Sequence, residues 1–307
     1  MLPSKRMVSG AAAVLVFVGL AASGFQAFAA PVQAEPAAAE TAGPAGDSTD
    51  RLTLKQAGKE FLHDAGRIWS APACLRTKDI APVLALGVAA AALIATDEAT
   101  RGRVQSFAVR HPWVGDVSPV VTKLGGPIGF AAAGAFFGAG LVFKDARARD
   151  TGYLAASAVL QSFLVDALLK GLGGRQRPCA ADGVDHWSGP QGFFKRFDKG
   201  GGDLYDSFPS GHTAAAFALA TVVSLRYRHS FWVGAASYSV AAAVGLSRMA
   251  LDRHWLSDVV AGAAIGHLVA RLIVRNHDRP RRLVPAIAGV RGGLALCLCY
   301  DAGPSDR

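Results

Sequence analysis

The sequence predicts an all-α protein, a transmembrane bundle of about six apolar helices, and three observations carry that reading. Six apolar segments recur, Ile80 to Thr96, Pro127 to Phe143, Thr151 to Leu169, His212 to Leu225, Phe231 to Leu246 and Val259 to Val274, each 14 to 19 residues long and dominated by Ala and Gly. Composition agrees: 51% of residues are hydrophobic, 18% are charged and mean hydropathy is +0.28, which suits one helical domain better than two soluble ones. The third observation is loop charge. Lys144, Arg147 and Arg149 follow the second segment, Arg226 and Arg228 the fourth, and Arg275, Arg279, Arg281 and Arg282 the sixth. In an up-and-down bundle these turns share one end, as positive-inside topology requires, and a soluble bundle has no reason to sort charge in this way.

Taken in order, residues 1–30 read as an export signal or anchor: Lys5 and Arg6, an apolar run from Ala11 to Ala22, then Ala27-Phe28-Ala29 before Ala30. Residues 31–50, rich in Ala, Pro, Glu and Gly, read as a disordered tether. Residues 51–75 scatter Leu52, Leu54, Phe61, Leu62, Ile68 and Trp69 among charges, the pattern of an amphipathic helix lying on a membrane or on the bundle. The helical domain is assigned to 76–282 and a tail with strand-like alternation to 283–307. The six segments fall slightly short of the ~20 residues of a membrane span, so buried helices of a soluble bundle are the alternative. Four cysteines, Cys74, Cys179, Cys297 and Cys299, have no zinc-finger spacing. A net charge of +9 with no Lys/Arg tract interleaved with aromatics points to anionic substrates or lipid surfaces rather than nucleic acid.

Three stretches carry chemistry. Pro209-Ser210-Gly211-His212 is a tight turn running into an Ala-rich helix; free amides at that helix start favour an anion, with His212 beside it to give or take a proton. Upstream, Lys170 ends an apolar helix and Arg177 follows seven residues later, with three glycines and Pro178 stopping the helix so that both cations fold back over a shared site. Downstream, Ser247-Arg248 leads to His254 and Asp258, four residues apart, so that on a helix the carboxylate can accept the imidazole N–H. Each stretch alone is ordinary: turn chemistry, a helix end with favourable charge, a capped helix start.

Together they resemble the three-part signature of the type 2 phosphatidic acid phosphatase (PAP2) superfamily, Lys-x6-Arg-Pro, Pro-Ser-Gly-His and Ser-Arg-x5-His-x3-Asp. All eleven fixed positions are matched, in order, between residues 170 and 258. The resemblance implies the helical bundle shared with haloperoxidases and hydrolysis of a phosphomonoester through a phosphohistidine. His254 would be the nucleophile, Asp258 its orienting carboxylate and His212 the acid and base. Lys170, Arg177, Ser210, Gly211 and Arg248 would hold the phosphate oxygens. No metal or other cofactor is implied, because the three cations take that part.

The expected partners are a phosphorylated lipid, such as phosphatidate, phosphatidylglycerophosphate or a polyprenyl diphosphate, and the membrane. The expected location is a bacterial inner membrane with the site facing the periplasm. A soluble periplasmic acid phosphatase and a vanadate-dependent haloperoxidase are the alternatives. One tension stands: a cleaved signal leaves the new N-terminus outside, and six crossings then carry Lys170 to the cytoplasm. An outward site therefore needs a further stretch, within 51–75 or Val104 to Leu124, that crosses or dips in, or else a peripheral bundle. The loop 179–206 mixes His186, Trp187, Phe193, Phe194 and Phe197 with Lys195 and Arg196, which suits either the headgroup layer or inward packing over the bundle end.

Overall fold

Helix starts and stops follow the local sequence closely in the computed structural model, which describes residues 54–70, 80–180, 185–194, 204–278, 282–290 and 293–301. The expected signal, the tether and Cys74 lie outside these residues. In chain order the helices are α1 (Leu54–Ser70), α2 (Ile80–Arg110), α3 (Trp113–Thr122), α4 (Pro127–Val142), α5 (Ala146–Gly173), α6 (Gly189–Phe194), α7 (Gly211–Arg226), α8 (Phe231–Ala250) and α9 (Leu256–His277). An antiparallel hairpin follows, β1 (Arg282–Val290) and β2 (Gly293–Asp301), with Val290 opposite Gly293. The strand-like alternation of the tail thus becomes a hairpin appended to a helical domain.

The caps explain the boundaries. Asp145 accepts from Ala148 N at 3.2 Å to start α5, and Ser230 accepts from Val233 N at 3.4 Å to start α8. Pro127 takes the first position of α4, where its missing N–H has no partner to lose. Gly174, left-handed at φ 52°, ends α5 and gives its N–H to Lys170 O.

Each predicted segment is a helix, usually longer than its apolar run. The largest extension is α2, which continues past Thr96 to Arg110 because Asp97, Arg101 and Gln105 have partners elsewhere in the fold. Val104 to Leu124, one of the stretches that could cross or dip in, is the end of α2 plus the short α3, which packs on α8 and meets α4 at a bend of 46°, the shape of a broken span or a re-entrant loop. Small residues let backbones touch. A methyl on Gly262 or Gly266 of α9 would strike the carbonyl of Ser210 or Ala214, so α7 and α9 pack almost backbone to backbone. Gly152 does the same for α5 against α4.

The long helices alternate in direction. Asp97 of α2, the last turns of α5 and α8, and the first turns of α4, α7 and α9 meet at one end. At the other end Arg226 bonds Asp278 at 3.0 Å and pairs with Asp150 at 3.9 Å, joining the turns in which the basic residues gather. The sorted charges therefore lie opposite the end that collects the three motifs.

By length and composition α5 and α9 can each cross a membrane, and α3 with α4 makes a third if the bent pair is one span. That is fewer than the six apolar segments suggested. At 16 residues each, α4 and α7 are short of a span, and α2 carries four charges between Asp97 and Arg103. The outside of the bundle is nonetheless apolar. Leu160, Leu164 and Leu168 make an exposed stripe down α5, with Phe143, Phe231 and Trp232 exposed at the basic end.

Candidate active site

The first motif is shaped by a glycine. A side chain at Gly174 would collide with Gly189 O, and beyond it residues 175–177 run extended between two loop pieces. Gln176 N donates to His186 O, Arg177 N to Leu204 O, and Ser207 N to Arg175 O. This ladder aims Arg175 and Arg177 into the bundle end. Lys170, in the last turn of α5, lies 3.2 Å from Asp166 and 3.9 Å from Asp206. Arg177 places Nε at 2.9 Å and Nη2 at 2.7 Å from Asp206 Oδ1, so the two cations share one carboxylate. Burial opposes ionisation of Asp206, but Lys170 and Arg177 outweigh it and hold the carboxyl below its usual range.

The second motif starts α7 with Ser210 at the N-cap. Its hydroxyl bonds Thr213 Oγ1 at 2.9 Å, and its N–H donates to Asp258 O at 3.0 Å, which ties the start of α7 to that of α9. His212 stands in the first turn, within electrostatic reach of Arg248, Lys170 and Arg177. Its ring meets Gly126: a Cβ there would lie 3.2 Å from Nε2.

The third motif departs from the simple i, i+4 picture. Helix α9 begins only at Leu256, so His254 lies before it, in the turn where Asp252 takes φ 55°. The acceptor for His254 Nδ1–H is the Ser207 carbonyl at 2.7 Å, and Asp258 Oδ2 stands further off at 3.6 Å. The buried Asp258 instead accepts from Ser207 Oγ at 2.6 Å, Trp255 N at 2.9 Å and Arg175 Nη1 at 2.6 Å. Either way the Nδ1 proton is fixed and Nε2 keeps a free lone pair. Burial pushes the His254 pKa down to about 3, against the opposing pull of Asp258, so the ring is neutral at physiological pH. Arg248, at the end of α8, donates from Nη1 to Thr122 Oγ1 at 3.1 Å, and its buried Nε has no hydrogen-bond partner among the described residues.

Residues outside the motifs complete the arrangement. Arg175 is fully buried between Trp187 and Trp255, with its guanidinium carbon 4.9 and 5.3 Å from the ring centroids. It donates to Asp185 at 2.8 and 2.6 Å, Asp97 at 2.7 Å, Ser257 at 2.6 Å and Asp258 at 2.6 Å. Burial would discharge it, but Asp258, Asp185 and Asp97 more than offset that and raise its pKa above the ordinary arginine value. Ser257 also bonds Asp97, which fastens α2 to the start of α9. The break between α3 and α4 supplies a further wall, with Thr122 on Arg248 and Gly126 on His212. Two signals were readable: Asp97 ends an apolar run, and Gly125-Gly126-Pro127 precedes a helix.

Of the loop thought to meet headgroups, Trp187 packs inward, 5.2 Å from Phe208, while Phe194 is exposed; Lys195, Arg196 and Phe197 lie outside the described residues. Lys170 and Arg177 are thus joined through Asp206, and Ser210, Gly211, His254 and Asp258 through Ser207 and the tie between the starts of α7 and α9, while His212 lies within electrostatic reach of Lys170 and Arg177, and Arg248 of Arg177. Such a set can grip a tetrahedral anion and attack it.

Residues 150–282 match the PAP2 superfamily. A lipid A 1-phosphatase of Porphyromonas gingivalis is 51% identical over 72 residues, 23% of this chain and 16% of that protein. A lipid A 1-phosphatase of Rhizobium etli is 32% identical over 155 residues, 50% of this chain and 56% of its own length. The matched region thus spans about half of the second relative and much less of the first. Among solved structures, a transmembrane PAP2-type phosphatidylglycerolphosphate phosphatase from Bacillus subtilis is 24% identical with a TM-score of 0.45, covering 73% of this chain and 95% of that one.

Proposed function

We propose that this chain, whose residues 150–282 match the PAP2 superfamily, is a membrane phosphatase that cleaves a phosphomonoester from a lipid through a phosphohistidine on His254. The observation that carries this reading is the buried, neutral His254, its Nδ1–H held by the Ser207 carbonyl, at a bundle end that also gathers Lys170, Arg177 and Arg248. Nε2 of His254 attacks phosphorus as the bond to the lipid oxygen breaks, and His212, whose pKa burial and the cations Arg248, Lys170 and Arg177 push down to about 4, passes to the leaving oxygen the proton that a monoanionic phosphate ester brings into the site. Water then attacks the phosphohistidine, giving its proton to His212, and inorganic phosphate leaves. Lys170, Arg177, Arg248, Ser210 and the Gly211 amide stabilise the non-bridging oxygens while charge gathers on them. Asp258 acts through Ser207 and Trp255, which it holds in place around His254.

Relatives named lipid A 1-phosphatase make an acylated sugar phosphate the first substrate class to test, ahead of phosphatidate, phosphatidylglycerophosphate and polyprenyl diphosphate. The basic clusters at the opposite end support an orientation with the site outward, on the periplasmic face. The test is phosphate release from a panel of these lipids by the full chain in detergent. Turnover of at least one, competitive inhibition by vanadate and an unchanged rate with chelator are expected. A strict magnesium requirement, or bromide oxidation with vanadate and no hydrolysis, would overturn the scheme.

The wall at Gly126 gives a sharper check. Gly126→Ala places a methyl against the His212 ring, and displacing an acid/base group by a fraction of an ångström lowers turnover by roughly 10- to 100-fold with little change in KM. A wild-type rate in that variant would show that His212 does not work where it stands.

A further inference from the structure

Among the described residues, Asp166 is the one buried carboxylate beside these cations whose second oxygen has nothing to bond. It sits on α5 one turn before Lys170, is 4% exposed, and holds Oδ2 3.2 Å from Lys170 Nζ, while Oδ1 has no hydrogen-bond partner among the described residues. A Cβ on Gly211 would lie 3.0 Å from Oδ2, so the carboxyl stands against the glycine whose amide faces the proposed phosphate. The charges acting on it are Lys170 from its own helix, Asp206 from the loop before α7 and Asp258 from α9. Holding Lys170 in place does not require Asp166, since Asp206 already lies 3.9 Å from the same ammonium.

Resting on the phosphatase reading, we propose that Asp166 is a proton-linked member of the anion site, which takes up one proton when a phosphate dianion binds and gives it up when the product leaves. The empty site balances Lys170, Arg177 and Arg248 with the carboxylates of Asp166 and Asp206. An incoming dianion claims Lys170 and puts negative charge beside a carboxylate with an unsatisfied oxygen, which then exists more cheaply as the neutral acid. The proton comes from solvent, no covalent bond changes, and Lys170 is released from Asp166 to the substrate. Binding is therefore favoured toward acid, and departure of inorganic phosphate is favoured as Asp166 ionises again. His212 and His254 also face the anion, so pH dependence alone does not identify the group, and the variant does.

The probe is sulfate, a tetrahedral dianion that does not itself titrate between about pH 5 and about pH 8, bound to the full chain in detergent and followed by calorimetry. Wild type is expected to bind with uptake of close to one proton, seen as a dependence of the heat on buffer ionisation. Its dissociation constant should rise by up to about tenfold per pH unit through the transition. Asp166→Asn should bind sulfate roughly tenfold tighter near neutral pH, with the proton uptake and most of the slope gone. The same proton uptake in Asp166→Asn, or none in wild type that binds sulfate, overturns the proposal and leaves the phosphatase reading standing. No binding of sulfate or vanadate by wild type sinks both. Should Asp166→Asn not fold, Asp166→Ser, which also lacks the titrating carboxyl, takes its place with the same expected loss of proton uptake.

Discussion

His254→Ala is expected to lower phosphate release by roughly 10⁵-fold or more, the scale on which deleting a covalent nucleophile acts. The geometry makes His254 hard to replace. Its Nδ1–H is committed to the Ser207 carbonyl at 2.7 Å, Nε2 is left as the attacking atom of the proposed route, and the ring is buried deeply enough to be neutral. The variant keeps Lys170, Arg177 and Arg248, so it should still bind vanadate while failing to turn over. Wild type quenched in mid-reaction should carry an alkali-stable, acid-labile phosphoryl group that the variant lacks. The sign of the pH effect follows from the same burial. Protonation removes the nucleophile, and a pKa held at about 3 puts that loss far below the ordinary histidine range. An acid limb of kcat set by His254 should therefore not appear near pH 6.5, the ordinary value. Appreciable hydrolysis by His254→Ala would rule out the covalent route.

The second large effect is expected at Arg175, which touches no substrate in this scheme. Arg175→Ala leaves Asp97, Asp185 and Asp258 around a hole, and stranding a buried ion in this way costs about 3–5 kcal/mol. Much of that protein should fail to fold. Arg175→Lys is the informative variant, because it keeps the charge but not the planar fork that reaches Asp97, Asp185, Ser257 and Asp258 at once. Asp258 then loses one of the bonds that hold it against Ser207 and Trp255, and His254 loses its fixed setting. A lower thermal midpoint in detergent together with a fall in kcat larger than any rise in KM is the expected result. Wild-type turnover in a folded Arg175→Lys protein would make Arg175 a purely structural ion.

What the sequence made legible and what it hid divide along physical lines. The residues proposed to act on an anion come in short runs with fixed spacing, so Lys170, Arg177, His212 and His254 were readable before any fold was in hand. Their supports come from distant parts of the chain and need only a charge or a small size, which no spacing marks. Asp97 reaches Arg175 and Ser257 from a helix begun at Ile80, and Gly126 matters because His212 happens to lie against it. Asp258 was expected to hold the imidazole directly. The structure inserts Ser207 between them, because His254 precedes the helix that Asp258 begins. The apolar runs located the helices but understated α2, since polar residues with partners continue a helix as well as apolar ones do.

The alternation of the bundle has an electrostatic consequence. A chain that runs up and down must bring half its helices to any one end with their carbonyl termini, whose negative macrodipole pole repels an anion. Here α5 and α8 arrive that way, and each has a cation in its last turn, Lys170 and Arg248. Their terminal carbonyls are turned inward and occupied: Lys170 O by Gly174 N, Ser247 O by Leu251 N, Arg248 O by Arg253 N. The two side chains thus neutralise an unfavourable pole besides holding the phosphate in the proposed scheme, and shifting either by a single turn would uncover a repulsion while withdrawing an attraction.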